Sequence, residues 1–372
     1  MQRLWCGLAA FSLAALIVGG ATQARAATAS PALAVAYVTP NGQVAVLESV
    51  NGVGSITNAG LGADPVWSPN GANLLFVVTD ALANKMIIYV ADTHGANIKA
   101  VVPSAYPGVI PSWSPDSNYV VYTTVAPGTK PGISSTQLQI DAVRLSDNTT
   151  QVLGQYAYAA GCPDSWTALQ DAFRRAQGAY LGNPTTLIWA QPKLVVAQSS
   201  CTGHGLTLLN TGSKTVKTLS AWSAGTLSPD GKSIAAVVAG AKGSQGQVGI
   251  ISVASGSTTV LAPKISPASV AWSPTGKTLY AISDPSNPQS GFARLYSMGP
   301  DGKALASVFA LPAAGIFHLS VNSQATHMVM SVVASAAANA SSPPSAMVSD
   351  EPLSPAGVPS PFLSGTQASW RP

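Results

Sequence analysis

Trp113-Ser114-Pro115-Asp116-Ser117, followed by the apolar residues 119–122, is the stretch on which the fold is read. Ser-Pro-Asp is turn chemistry: proline presets φ, and the aspartate bonds its own backbone two residues on. The apolar run behind it makes a strand, and the tryptophan in front supplies a large packing anchor. Working outward, the same unit recurs as Trp67-Ser68-Pro69-Asn70-Gly71, Leu227-Ser228-Pro229-Asp230-Gly231 and Trp272-Ser273-Pro274-Thr275-Gly276. Trp67 to Trp113 is 46 residues, Leu227 to Trp272 is 45, and Trp272 to Leu319 is 47. A period in that range belongs to propeller blades, each a four-stranded sheet.

Weaker corners stand at Trp189, at Leu319-Ser320-Val321-Asn322 and at Trp370. Counting Trp67, Trp113, Trp189, Leu227, Trp272, Leu319 and Trp370 predicts a seven-bladed β-propeller. Six blades is the alternative if the Trp189 unit belongs to an insertion. The first unit has three strands and no Trp-bearing strand before it, while the chain finishes on a Trp-bearing strand with nothing after it. The tail strand is therefore expected to complete the first blade and close the ring, which removes exposed sheet edges.

Trp189 follows Trp113 by 76 residues, leaving about 30 more than one repeat needs. The surplus places an insertion at about residues 155–185. Residues 165–177 read as a helix, with Trp166, Leu169, Ala172, Phe173 and Ala176 near one face and Arg174 and Arg175 in the last turn. The helix either lies flat on the propeller or covers one of its faces.

Arg3, the apolar residues 8–18 and Ala24-Arg25-Ala26 have the form of an export signal cut after residue 26. Retention as a membrane anchor is the alternative, although the apolar stretch is short for a span. Residues 27–372 then form a single propeller domain with no stable span. In an exported chain Cys162 and Cys201 pair most simply as a disulfide, closing a loop worth about 3–4 kcal/mol. Two free thiols or a metal pair are the alternatives.

The chain is 47% hydrophobic and 9% charged, enough apolar surface for a large core. No basic run is present, so nucleic acid is not expected as a partner. The sequence contains no Gly-x-Ser-x-Gly elbow, Walker loop or dinucleotide fingerprint. Its four histidines, His94, His204, His318 and His327, lack metal spacing. No catalytic residue, metal or cofactor is assigned.

The Trp-Ser-Pro-Asp-Gly corners resemble the WD40-like repeat of the TolB-type propeller family, over nearly all of residues 27–372 as architecture and most specifically at Trp67, Trp113, Leu227 and Trp272. The resemblance implies a bacterial envelope protein, periplasmic, cell-surface or extracellular, and in most members a non-catalytic binding module. Two features found in that family are not expected within this sequence: a smaller N-terminal domain ahead of the propeller, and the hydrolase domain of the propeller-bearing peptidases. The expectation is a monomeric exported module for a protein or cell-wall partner, binding through Trp166, Phe173, Arg174, Arg175 and His204. A hydrolase or lyase with its site in the funnel is the alternative. It predicts Asp or His side chains from different blades converging within hydrogen-bond reach.

Overall fold

A computed structural model describes residues 33–50, 53–80, 82–83, 85–107, 109–129, 135–159, 187–190, 193–198, 205–240, 246–283, 293–311, 315–322, 327–333, 346–352, 360–364 and 366–371. These residues form an all-β propeller fold, and no helix occurs among them. The strands fall into seven four-stranded antiparallel sheets.

The first sheet holds β1 (Leu33–Val38), β2 (Gln43–Val50) and β3 (Val53–Leu61). The second runs β4 (Ala63–Trp67), β5 (Asn73–Asp80), β6 (Lys85–Asp92) and β7 (Lys99–Ala105). The third has β8 (Ser112–Trp113), β9 (Tyr119–Val125), β10 (Ser135–Arg144) and β11 (Thr150–Ala159). The fourth has β12 (Ile188–Ala190), β13 (Leu194–Gln198), β14 (Leu206–Asn210) and β15 (Val216–Leu219). The fifth has β16 (Trp222–Leu227), β17 (Ser233–Val238), β18 (Gln247–Ser252) and β19 (Thr258–Lys264). The sixth has β20 (Pro267–Trp272), β21 (Leu279–Ser283), β22 (Ala293–Met298) and β23 (Ala306–Leu311). The seventh has β24 (Gly315–Val321), β25 (His327–Val333), β26 (Ala346–Pro352) and β27 (Ser360–Ser364). The last strand, β28 (Thr366–Trp370), joins the first sheet beside β1. It pairs Val35 with Trp370, Ala36 with Ser369 and Val38 with Thr366.

The corner-bearing strands β4, β8, β12, β16, β20, β24 and β28 are the inner ones; β8 lies against β12, β12 against β16, β16 against β20, β20 against β24, β24 against β28 and β28 against β4. The core fills the spaces between successive sheets. Trp67 packs with Ala36, Val46 and Phe76 between the first and second sheets. Trp113 packs with Leu75, Ile88 and Val143 between the second and third, and Trp189 with Leu138, Ile140 and Val195 between the third and fourth. Trp272 does the same with Val237 and Val248 of the fifth sheet. Each large indole thus glues its own sheet to the one before it, which is why the repeat carries tryptophan at that position.

The indole N–H repeats a hydrogen bond as well. Trp67 donates to the Ser369 carbonyl at 3.1 Å, Trp113 to the Val66 carbonyl at 3.0 Å, and Trp272 to the Thr226 carbonyl at 3.2 Å. In each case the acceptor directly precedes the corner residue of the neighbouring sheet. Trp189 is buried in the same position, but its Nε1 finds no acceptor among the described residues.

Two sequence readings need correction. The inserted segment does not begin at residue 155. Residues 155–159 continue β11, pairing with residues 135–139 of β10, because Tyr156 is drawn into the core between the third and fourth sheets. Residues 360–364, not read as a strand, form β27 on the edge of the seventh sheet. The helix expected at 165–177 and the segment at 1–32 lie outside the described residues.

Candidate functional site

Strand polarity gives the propeller two different ends. Every inner strand runs toward its corner, so the Ser-Pro turns gather at one end. Two contacts show that they do: the Asn70 N–H donates to the Ser117 hydroxyl at 3.1 Å, and Pro229 lies 3.7 Å from where a Cβ on Gly276 would stand. The tight turns between the third and fourth strands of the second to sixth sheets share this end. The opposite end receives the strand ends that flank residues 130–134, 160–186, 199–204, 241–245, 284–292 and 334–345. It is the loop-bearing end, the usual place for recognition on a rigid scaffold.

At the corner end the polar groups are committed to holding turns. Ser114 donates its hydroxyl to Asp116 Oδ1 at 2.5 Å, and the Asn118 N–H donates to the same oxygen at 3.1 Å. Burial pulls the Asp116 carboxyl upward, but these donors outweigh it and hold it below the ordinary carboxylate range. Asp230 is lowered by the Ser228 hydroxyl, 2.6 Å away, and by the Lys232 N–H. Asn70 makes the same pattern with Ser68 and Ala72, and Ser273 meets Thr275 at 3.2 Å. Where three corners have glycine with positive φ, the third has Ser117 at φ 61. Its hydroxyl offsets that strain by accepting the Asn70 N–H.

Glu48 gathers a second polar group at this end. One oxygen accepts from Arg371 Nη1 at 3.1 Å, and the other meets His94 Nδ1 at 2.7 Å. The Arg371 guanidinium lies over the Trp67 ring, 5.7 Å from its centroid, and the Arg371 N–H donates to the Ala34 carbonyl. The cluster ties the segment after β28 to the first and second sheets.

The loop-bearing end carries the most perturbed acid described. Asp64 opens the inner strand β4, with φ 50 and a register irregularity between Ala63 and Val66. The residue is partly exposed, yet its Oδ1 is shielded from solvent. Burial pushes its carboxyl up to about 7. In the unfolded chain the group ionises near pH 3.8, so between there and pH 7 the unfolded state releases its proton first. Stability should fall across that window by on the order of 4 kcal/mol and level off above it. Asp64→Asn, which tolerates the left-handed backbone, should abolish the slope and be the more stable protein at pH 8. Urea unfolding of both proteins from pH 4 to 8 checks this, and parallel curves would refute it.

Asp141, 3% exposed, is held within the third sheet by the Thr124 hydroxyl and the Gln139 amide, both at 2.8 Å. Among the described residues no group of three or more His, Cys, Asp or Glu is placed to hold a metal ion. The residues singled out for partner binding, Trp166, Phe173, Arg174, Arg175 and His204, lie outside the described residues, as do Cys162 and Cys201. The strand ends leading to all of them stand at the loop-bearing end. Asp64 was not singled out in the sequence. Its Asp-Pro context looks like any turn, and neither its left-handed backbone nor the shielding of its oxygen is a local property.

No protein-family model matches the chain, and no curated protein matches it in sequence. Its fold is similar to solved structures. A putative 6-phosphogluconolactonase from Bacteroides uniformis superposes with TM-score 0.53 at 12% identity, covering 92% of this chain and all of that one. An oligogalacturonate lyase in complex with manganese gives 0.52 at 13%, covering 79% and 84%. TolB from Acinetobacter baumannii gives 0.46 at 14%, covering 91% and 82%. At these identities the likeness concerns the fold alone.

Proposed function

We propose that this chain is an exported, non-catalytic propeller that binds a protein or cell-envelope ligand at its loop-bearing end. We infer in addition that its seven sheets are the blades of one ring closed by β28. The observation that carries the binding reading is how most of the described acids are employed. Asp80, Asp92, Asp116, Asp147, Asp230 and Asp301 hold turns, Asp141 is held inside one sheet, and Glu48 ties the ends together. Acids spent on turns are not available to converge from several blades, as a funnel hydrolase or lyase requires. The export signal supplies the address. Among the described residues no helix is long and apolar enough to cross a membrane.

Within the loop-bearing end, Trp166, Phe173, Arg174, Arg175 and His204 remain the proposed contacts, a set of aromatic and arginine anchors suited to a protein surface. Deletion of residues 164–178 should abolish capture of a partner from native envelope extracts while thermal unfolding stays cooperative. Undiminished capture by the deletion variant would overturn the assignment. Asp64 favours the enzymatic alternative, because a carboxyl titrating near neutrality suits acid–base chemistry. A screen of glycosidic and lactone substrates that is positive with the native protein and blank with Asp64→Asn would decide for it.

A further inference from the structure

Charge is distributed unevenly around the ring. Residues 188–311, which build the fourth, fifth and sixth sheets, contain nine Lys and Arg against three Asp. Residues 33–159, which build the first half of the ring, contain four against seven acids. Topology then sorts the basic residues by end. Lys193, Lys232 and Lys277 each follow an inner-strand corner in three successive sheets. Lys214, Lys217 and Lys303 occupy or border the tight turns at that same end, farther out. All six are exposed. Only Lys303 has a carboxylate within ion-pair distance among the described residues, Asp301 at 3.5 Å. Lys214 reaches the Leu153 carbonyl and Lys217 the Gly256 carbonyl, neutral acceptors that leave their charge uncancelled. The other acid of this surface, Asp230, is bound into its turn by Ser228 and Lys232.

We propose that the corner-bearing end of the fourth to sixth sheets is a docking surface for an acidic polysaccharide, one with carboxylate or phosphate groups at regular intervals. The chemistry of the surface argues for that class. Lysine is a compact point charge on a flexible stem, suited to repeated anionic groups rather than to one planar partner. Lysine is depleted from protein–protein interfaces, where aromatic and arginine anchors dominate. No aromatic side chain is found among the exposed large apolar residues described, so this end lacks the stacking platform that single-stranded nucleic acid requires. Between the lysines stand paired hydroxyls, Ser213 with Thr215 and Ser255 with Ser257, exposed partners for sugar hydroxyls. The surface lies at the opposite end from the strand ends that flank residues 160–186, and so apart from where the chain enters and leaves the partner site proposed above.

The test uses the full chain without its leader and three probes: a sodium polyuronate, a phosphate-bearing polysaccharide and neutral dextran. Binding of either acidic polymer, falling about tenfold between about 50 and 200 mM salt, is expected, with no binding of dextran. The triple variant Lys193→Glu, Lys232→Glu, Lys277→Glu should lose at least about tenfold in affinity, and the corresponding triple glutamine variant should lose an intermediate amount. Lys85→Glu, at the other end of the ring, should bind as the parent does. Unfolding curves of the glutamine variant that match the parent's keep the comparison valid. Equal binding of dextran, unchanged affinity in the triple glutamate variant, or tighter binding of a nucleic acid or an acidic peptide of equal charge would overturn the proposal. So would salt-sensitive self-association that the triple variant abolishes, since a second copy would then be the occupant.

Discussion

A chain ending at residue 365 should fail to show a single cooperative unfolding transition and should associate through its first sheet. β28 is the inner strand of that sheet, and its loss strips β1 of partners along Val35, Ala36 and Val38. Ala34, Val35 and Ala36 are at most 2% exposed, so the freed backbone groups would be left in a dry groove. Each such group costs about 1–3 kcal/mol, and a few of them consume much of a domain's ~5–15 kcal/mol. The Trp67 indole would also lose the Ser369 carbonyl, and Glu48 would lose Arg371. An unpaired edge then templates pairing with another chain. Circular dichroism melts and sedimentation of the truncated protein are the measurements. Arg371→Ala keeps the strand and removes the clasp on Glu48 together with the guanidinium over Trp67, the charged pair being about four-fifths buried, so it should cost about 1–3 kcal/mol. A truncated protein that melts cooperatively at the parent temperature as a monomer would refute the closure.

Trp113→Ala should cost about 3–5 kcal/mol in urea unfolding, because it empties the space between the second and third sheets. The more informative comparison is with phenylalanine. Trp113→Phe keeps most of the packing but leaves the Val66 carbonyl without its indole donor, which should add about 1–2 kcal/mol to the volume loss. Trp189→Phe removes the same volume from the same kind of position, yet its Nε1 has no acceptor to lose. Its cost should therefore be the smaller of the two. Equal costs at both positions would mean that the indole-to-carbonyl relay contributes nothing and that packing alone explains the repeat.

Much of the fold was legible because propeller blades are built from local signals. Ser114-Pro115-Asp116 folds its turn from its own side chains, and Trp113 marks the strand before it. The count of 76 residues from Trp113 to Trp189 exposed an extra segment, though not its start, because residues 155–159 pair with a partner strand rather than with their neighbours in sequence. β27 escaped notice for a related reason: Ser360-Pro361-Phe362-Leu363-Ser364 is short and contains a proline, tolerable at the edge of a sheet. The candidate site was far less legible. Asp64 is set apart by a left-handed backbone and a shielded oxygen, both of which depend on how the first and second sheets meet. The basic surface is built from six lysines spread between Lys193 and Lys303 that form no run.

Taken alone, the sequence determined the repeating unit, its period and the chemistry of each corner, since turn propensity and apolar patterning act over a few residues. Tertiary structure decided which groups share an end of the propeller, which indoles find a carbonyl and which carboxyl resists ionisation. Those properties arise from strand polarity and from desolvation between sheets, and both come into being only when segments distant in sequence pack together.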